Sequence, residues 1–383
     1  MNKPASGTKQ AFRFFDNREK YLLFVTTCSE KWAVAKRVGQ ELQHLTPRQP
    51  ALNVFDAGMG DGTVLTRVLR DLHRRNPTVP FVIVGKEISL EDVRLSLEKM
   101  SDRFHEHPQT VLVVTNLYYS EAPHLRPAKP EAAARVNRWE IALKGNTAHE
   151  FDEQIRELQP LLNEGWQTRA SEKTGNPMYV RPSILVLYRE DQKFILDNAI
   201  PKPGQAPSGY DLVIASQPYR ARLPAEMKVK NVLKPLASSL APGGRMIVIQ
   251  STGRDPGMEI IRGIWPDEAP FQVTRKTLIN ALKAELGDGQ PDLKFDALSD
   301  DKSFFSYDLH AMPDELGQNI GTSTLMAAWN AAVYVAQIED ARLMNAMSSG
   351  DYMRATEKVL KEHDGLWFLD ESFLITRDKK TRN

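Results

Sequence analysis

The sequence predicts an α/β fold built on a mostly parallel sheet, and three observations lead to this prediction. An apolar run at residues 52–55 enters a glycine-rich turn and leaves it with apolar residues at helical spacing up to residue 72. Four later runs, at residues 79–89, 110–117, 210–219 and 240–251, begin or end in stretches with the composition of buried strands. Helix-period segments lie between several of these runs, which is the alternation that a parallel sheet requires.

Composition and charge favour a globular chain without a strong bias towards one kind of partner. Its 383 residues exceed one average domain, so we expect an enlarged core. The 50 basic and 49 acidic residues give a net charge of +1, which argues against nucleic acid as a partner. The single cysteine, Cys28, cannot form an internal disulfide, and apolar runs are too short for a signal peptide or a bilayer span. We therefore expect a cytoplasmic protein with no membrane partner.

Residues 1–46 are expected to form a helical cap ahead of the core. Thr27 followed by Glu30 fits a capping box, and apolar residues recur along one face of the helix that would follow. Aromatic side chains before that helix could close over a bound ligand, although plain packing is the alternative; they are Phe12, Phe14, Phe15 and Tyr21.

The turn after the first strand holds acidic residues among its glycines. Asp56 precedes Gly58, Gly60 and Gly62, and Asp61 lies between the last two. A dinucleotide site uses G-x-G-x-x-G and holds a pyrophosphate at the helix N-terminus. Two carboxylates would repel that anion, whereas a ligand carrying an ammonium and a sulfonium suits them. A tight connection without any ligand is the alternative interpretation.

This stretch, NVFDAGMGDGTVL, resembles motif I of the class I S-adenosylmethionine-dependent methyltransferases. The runs VPFVIVGKEIS, TVLVVTNL, YDLVIASQPY and LAPGGRMIVIQS follow in the order that this superfamily requires. The resemblance covers about residues 53–117 and 210–251 and identifies no narrower family. It implies a Rossmann-like, seven-stranded sheet and S-adenosyl-L-methionine as the cofactor. Residues 47–117 and 210–383 would then be the two halves of the cofactor-binding core.

The resemblance also implies which residues contact the cofactor. Glu87, at the end of the second strand, would accept hydrogen bonds from the ribose hydroxyls, and Asn116 would lie near the adenine. The implied cofactor residues are Asp56, Gly58, Met59, Gly60, Asp61, Glu87, Ile88, Asn116, Leu117 and Ser216.

The chemistry is expected after the fourth strand, because ligands of open α/β sheets bind outside the carboxyl ends of the strands. Ser216, Gln217, Pro218 and Tyr219 resemble the Asp/Asn/Ser-Pro-Pro-aromatic turn of amino-methyltransferases, with Gln217 in place of the first proline. The resemblance implies that Ser216 and the Gln217 carbonyl orient an acceptor amine and that Tyr219 stacks on it. Because the missing proline relaxes the turn, the match favours nitrogen as the acceptor only weakly.

Residues 118–209 are far more than a crossover between neighbouring strands requires, so they are predicted to be an inserted substrate-recognition region. A helix is expected near residues 151–166, and a hairpin from residues 183–187 and 193–196. Together with Tyr219, the candidates for pocket walls are Tyr118, Tyr119, Trp139 and Trp166. The alternative is that the two tryptophans only form the core of the insert.

The C-terminal part is expected to complete the sheet and to carry a helical elaboration. Residues 303–310 and 366–376 are predicted to be the antiparallel strands that finish it. A long apolar helix after residue 322 could be core or the surface of a homodimer. His105, Glu106 and His107 lack a matched ligand set elsewhere, so no metal is expected.

The residues leave several functions open. A methyltransferase acting on a small molecule or another amine-bearing acceptor is the main hypothesis, with an oxygen-directed methyltransferase as its nearest alternative. The aminopropyltransferases of the spermidine synthase type share the fold, but they carry an acidic cluster after the fourth strand where this chain has SQPYR. A partner subunit that binds the cofactor without catalysis is the third alternative.

Overall fold

A ten-stranded mixed sheet forms the centre of the molecule. The computed structural model describes residues 18–172, 175, 177–311 and 320–379. The strands of the sheet are β1 Leu52–Asp56, β2 Phe81–Lys86, β3 Thr110–Thr115, β4 Asn137–Leu143, β7 Ser183–Arg189, β8 Tyr210–Ser216, β9 Leu240–Ser251, β10 Leu293–Asp296, β11 Phe304–Asp308 and β12 Trp367–Arg377. A separate hairpin pairs β5 Thr168–Ala170 with β6 Pro177–Tyr179.

The strand order is β10-β12-β9-β8-β1-β2-β3-β7-β4, and β11 also pairs with β12. The five strands from β9 to β3 run parallel to their neighbours, and β12 is antiparallel to β9. This confirms the predicted α/β class and the Rossmann-like sheet. Every predicted strand position of the core is present, including the two at residues 303–310 and 366–376. Because β11 is antiparallel to β12, it runs in the same direction as the central strands.

Helices bury both faces of this sheet, as the apolar composition of its strands requires. Val54 and Ile83 contribute to one core, and Phe55 and Val84 contribute to the other. Each fully buried side chain of this kind contributes about 1.5–3 kcal/mol to folding. The helices are α1 Arg18–Thr27, α2 Glu30–Leu42, α3 Thr63–Arg75, α4 Leu90–Glu98, α5 Ser101–Glu106, α6 Pro130–Ala133, α7 Ala148–Arg156, α8 Gln159–Gly165, α9 Lys193–Leu196, α10 Ala225–Lys228, α11 Lys234–Ser238, α12 Pro256–Ile264, α13 Arg275–Leu286, α14 Asp300–Ser303, α15 Thr322–Val335, α16 Asp340–Ser349 and α17 Asp351–His363.

The cap contains two helices, α1 and α2, within the described residues. The predicted capping box is wrong, because the Thr27 hydroxyl donates to the carbonyl of Leu23 and Ser29 is the residue before α2. By contrast, the Ser89 hydroxyl does accept the hydrogen bond from Asp92 N at the start of α4, at 3.3 Å. The aromatic residues Phe12, Phe14 and Phe15 lie outside the described residues.

The insert widens the sheet at its β3 edge. β7 pairs antiparallel with β3, and β4, which the sequence did not predict, pairs parallel with β7. The predicted hairpin is therefore wrong. Residues 193–196 form α9 instead of a strand, because a short helical turn at Glu190–Gln192 leads directly into it.

One buried amide ties the insert to the end of β3. The side-chain nitrogen of Asn116 donates to the carbonyls of Gly165 and Arg181, each at 2.9 Å. Its side-chain oxygen accepts from Ser183 N at 2.8 Å. Trp166 adds a second anchor, since its indole nitrogen donates to the carbonyl of Glu87 at 2.8 Å. The insert is thus fixed against the ends of β2 and β3.

The C-terminal helices form a third core together with α1. Leu325, Trp329 and Ala332 of α15 are buried there with Phe24 of α1 and Phe368 of β12. The long apolar helix predicted after residue 322 therefore packs within the chain. Among the described residues, no helix has the length and apolar character to cross a bilayer.

Asn116→Ala is expected to lower the free energy of unfolding by roughly 2–4 kcal/mol, because it leaves several buried backbone groups without a partner. Urea unfolding would measure this change. Asn163→Ala, at an exposed position of α8, is the matched control and should have a much smaller effect. Equal stability of the two variants would show that Asn116 does not anchor the insert.

Candidate functional site

A cleft opens at the carboxyl ends of β1 and β8, which are neighbours at the centre of the sheet. The chain leaves β1 towards β2 on one side and reaches β8 on the other, so this is the switch point where open α/β sheets bind ligands. With its open mouth included, the cleft has about 660 Å³ of empty space. Its lining residues are Glu30, Lys31, Asp56, Gly58, Met59, Asp61, Val64, Ile214, Ser216, Gln217, Ser251, Tyr307, Tyr334, Val335 and Gln337.

The floor of the cleft is the glycine turn between β1 and α3. Gly60 and Gly62 have φ angles of 53° and 76°, a left-handed conformation that glycine adopts without strain. A Cβ atom at Gly62 would also lie 2.9 Å from the Cα of Ser96. This position therefore requires glycine, and the turn can lie close against α4.

Asp61 lies two residues before the start of α3. Its carboxylate accepts hydrogen bonds from Thr63 N at 3.3 Å, from the Thr63 hydroxyl at 2.5 Å and from Lys99 Nζ at 2.6 Å. Burial acts to raise the pKa of Asp61, but the bonds from Lys99 and Thr63 outweigh it and lower that pKa. Because a carboxylate already holds this helix N-terminus, the site is poorly suited to a pyrophosphate.

Two further carboxylates face the same turn. Asp56 is buried, and its Oδ1 accepts from Gly58 N at 3.2 Å. Burial, with a smaller contribution from the nearby Glu87, raises the pKa of Asp56 to about 7, although the Gly58 N–H opposes the shift. Glu87 reaches from the end of β2, and its Oε2 accepts from Gly60 N at 2.9 Å. The turn thus gathers three carboxyl groups around its glycines, of which Asp61 is paired with Lys99.

The upper wall comes from parts of the chain that sequence reasoning did not assign to the site. Glu30 and Lys31, at the start of α2, form an ion pair with Oε2 and Nζ 3.1 Å apart. Burial acts to lower the pKa of Lys31, but the Glu30 carboxylate outweighs it and the pKa is raised. Tyr334 and Gln337 close the cleft from α15 and the residues after it. Glu30 and Lys31 could have been found from the sequence as an acidic and a basic residue at the start of an amphipathic helix.

The turn after β8 brings Ser216 and Gln217 to the cleft, where they were predicted. Gln217 has a φ angle of 48°, which costs a residue with a Cβ atom about 1–2 kcal/mol. Its side-chain nitrogen donates to the Ser251 hydroxyl at 2.8 Å and to Asp370 Oδ2 at 3.3 Å, and its side-chain oxygen accepts from Ser251 N. These bonds hold the unusual conformation in place.

Tyr219 does not reach the cleft, contrary to its expected role of stacking on an acceptor. Its ring is buried, and its hydroxyl donates to the side-chain oxygen of Gln250 at 3.0 Å. Lys228 Nζ lies 4.8 Å from the centre of that ring. The backbone after Gln217 turns the side chain into the core, which leaves Tyr219 a packing role.

The four aromatic residues proposed as pocket walls also lie outside the cleft. Trp166 is 2% exposed, and Trp139 packs on Gly165, where a Cβ atom would lie 2.9 Å from the indole. Tyr118 stacks on Tyr179, and the Tyr119 hydroxyl donates to the carbonyl of Pro218. Among the described residues of the insert, none lines the cleft. Both tryptophans therefore have packing roles, although Trp166 also bonds to the carbonyl of Glu87 outside the insert.

The remaining predicted cofactor residues lie beside the cleft but outside its lining: Gly60, Glu87, Ile88, Asn116 and Leu117. The Asn116 amide makes three hydrogen bonds that anchor the insert. Within the described part of the chain, no three His, Cys, Asp or Glu side chains form a group that could hold a metal ion.

No protein-family model and no curated protein matches this chain. Solved structures give distant likenesses. A geranyl diphosphate methyltransferase in complex with GPP and sinefungin is 11% identical, with a TM-score of 0.34 over 89% of this chain and 78% of that chain. The rRNA methyltransferase aviRa from Streptomyces viridochromogenes is 16% identical, with a TM-score of 0.21 over 65% and 77%. PKMT2 from Rickettsia typhi in complex with AdoHcy is 12% identical, with a TM-score of 0.29 over 93% and 54%. These identities and TM-scores are too low to indicate a function.

Asp56→Asn is expected to stabilise the fold at pH 8 by about 1–3 kcal/mol, because the folded state must keep a buried carboxylate ionised there. The pKa of Asp56 is raised by folding, so its contribution to stability is lost as the pH rises through about 7. The advantage of the variant should therefore shrink as the pH falls from 8 to 5. Urea unfolding across this range measures it, with the exposed Asp102→Asn as control. An advantage that does not vary with pH would contradict this assignment.

Proposed function

We propose that this chain is an S-adenosylmethionine-dependent methyltransferase that acts on a nitrogen of a small-molecule or other amine-bearing acceptor. The observation that carries the proposal is the group of carboxylates, Asp56, Asp61 and Glu87, around a glycine turn at the switch point of the sheet. Such a turn is unfavourable for a phosphate-bearing dinucleotide and favourable for a cationic ligand.

The residues of the cleft fit the charged groups of this cofactor. Asp56 is a buried carboxylate whose one hydrogen-bond partner among the described residues is a backbone N–H, so it can receive an ammonium. Lys31 is the basic residue of the cleft lining and can receive the carboxylate of the methionine moiety. Glu87 Oε2 accepts one hydrogen bond, from Gly60 N, and a carboxylate oxygen has capacity for a further one from a ribose hydroxyl.

When bound, the cofactor supplies an electrophilic methyl group on a sulfonium. The contribution of the protein is then mainly alignment, which can account for much of the acceleration of an in-line transfer. Ser216 and Gln217 lie on the wall of the cleft, and the bonds from Gln217 to Ser251 and Asp370 fix the turn that positions them. A neutral amine acceptor needs no strong general base.

Aminopropyl transfer is the alternative that a specific observation favours. Glu30 and Asp370 bring to this side of the cleft the acidic groups that the SQPYR turn lacks. Lys31 argues for the methyl donor, because decarboxylated S-adenosylmethionine has no carboxylate to pair with it. A non-catalytic subunit would bind the intact cofactor without methylating any acceptor.

Lys31→Met is expected to weaken binding of S-adenosylmethionine at least tenfold, because the carboxylate of the ligand loses its partner. Binding of decarboxylated S-adenosylmethionine, already weaker in the wild type, should change little. Titration calorimetry measures both, with Lys36→Met, exposed on the same helix, as the control. Tighter binding of the decarboxylated compound by the wild type would favour aminopropyl transfer. Binding of NAD in place of either would refute the whole proposal.

Glu87→Gln is expected to weaken S-adenosylmethionine binding by about 1–3 kcal/mol, through the loss of a charged acceptor for the ribose hydroxyls. The substitution keeps the size of the side chain. Glu98→Gln, exposed at the end of α4, is the matched control for calorimetry. Unchanged affinity in the Glu87 variant would remove this residue from the site.

A further inference from the structure

The part of the cleft lining that comes from α2 and β11 forms a second polar region, which the predicted cofactor residues do not include. Glu30 of α2 and Tyr307 of β11 line it, and Asp370 of β12 lies behind Gln217 and Ser251. Three separate segments therefore converge beside the turn that holds Ser216.

Two side chains of this region leave a buried polar atom without a hydrogen bond in the described part of the chain, at the Tyr307 hydroxyl and Asp370 Oδ1. A third buried oxygen, Glu30 Oε2, contacts Lys31 Nζ at 3.1 Å. Glu30, Tyr307 and Asp370 are 5%, 1% and 0% exposed. Burying an unbonded polar group costs about 1–3 kcal/mol, and most buried polar groups in native proteins are bonded. Their concentration on one wall indicates a ligand that pairs with them.

The polar groups of this wall indicate the chemistry of that ligand. Asp370 has no ion-pair partner among the described residues, and burial, together with Glu30 and Asp255, raises its pKa well above the usual range. Lys31 pairs with Glu30 at 3.1 Å, so Asp370 is the carboxyl of this region that has no basic partner. A ligand with a proton-bearing nitrogen would supply donors for the Tyr307 and Asp370 oxygens that lack a hydrogen bond.

We infer that Glu30, Tyr307 and Asp370 form the acceptor subsite and that it takes a primary or secondary amine. This inference deepens the proposed function and depends on it. The acceptor then lies between α2 and β12 instead of against the insert. Its amine is held next to Ser216 and Gln217, where the methyl group is transferred.

Methyl transfer to an amine in this subsite is a single displacement step. The nitrogen lone pair forms the new N–C bond as the S–C bond breaks, and sulfur keeps the electron pair of that bond. The products are S-adenosylhomocysteine and a methylated ammonium. The methylated ammonium is released and exchanges its proton with water. No oxidant or further reactant is needed.

Sinefungin tests the subsite directly, because it carries an amine where the cofactor carries the transferred methyl group. S-adenosylhomocysteine is the matched ligand that lacks this amine. Calorimetry on the full chain should show that the wild type binds sinefungin at least tenfold more tightly than S-adenosylhomocysteine. The measurement reports on binding alone and needs no knowledge of the true acceptor.

Tyr307→Phe and Asp370→Asn are the informative variants. The first removes an unbonded hydroxyl, and the second removes a buried carboxyl but keeps a side-chain oxygen that can accept the hydrogen bond from Gln217. Both should keep or raise the melting temperature and should bind S-adenosylhomocysteine like the wild type. Their preference for sinefungin should fall at least fivefold. Tyr188→Phe is the control: it removes a hydroxyl bonded to Glu140 outside the cleft and should leave the preference unchanged.

The outcomes separate the inference from the proposed function. Equal affinity of the wild type for the two ligands, or a preference that survives both substitutions, overturns the acceptor subsite alone. Failure of both ligands to bind overturns the cofactor assignment and the subsite with it. Loss of stability in Tyr307→Phe would show that its hydroxyl has a structural partner, and this too would overturn the assignment.

Discussion

Parallel pairing of β1 with β2 and β8 is the constraint on which the rest of the structure depends. Because parallel strands end at one edge of a sheet, this pairing brings Asp56, Glu87 and Ser216 together although they are far apart in sequence. The hydrogen bond from Gly60 N to Glu87 then joins the end of β2 to the glycine turn. With this edge in place, the cap and the C-terminal helices need only cover it to make a cleft.

The residues of the candidate site lower the stability of the ligand-free protein. Asp56, Asp370 and Glu30 are carboxylates in largely buried positions, and burial raises the pKa of the first two. Gln217 adds a left-handed backbone conformation that its side-chain bonds must maintain. Groups that destabilise the free protein and would be stabilised by a cation are the pattern expected of a site under selection for binding.

The two additions to the core have different relations to this cleft. The insert extends the sheet beyond β3 and is fixed there through Asn116 and Trp166, so its described residues lie away from the cleft lining. The cap and the C-terminal helices pack on one another and close over the ends of β1 and β8. The position of the insert in the sequence suggested that the insert forms the acceptor region. The positions of the cap and the C-terminal helices in space favour these helices as the acceptor region instead.

The sequence by itself determined the α/β class, the core strands, the glycine turn with its carboxylates, and the place of Ser216 and Gln217. These features depend on local patterns: apolar runs of strand length, helical spacing, and glycines where the backbone must be left-handed. Only the tertiary structure decided that Glu30, Lys31, Tyr307 and Asp370 converge, that Tyr219 turns into the core, and that β4 and β7 join the sheet. Their juxtaposition arises from contacts between segments up to hundreds of residues apart. The spacing of residues along the chain does not indicate which of these distant segments pack together.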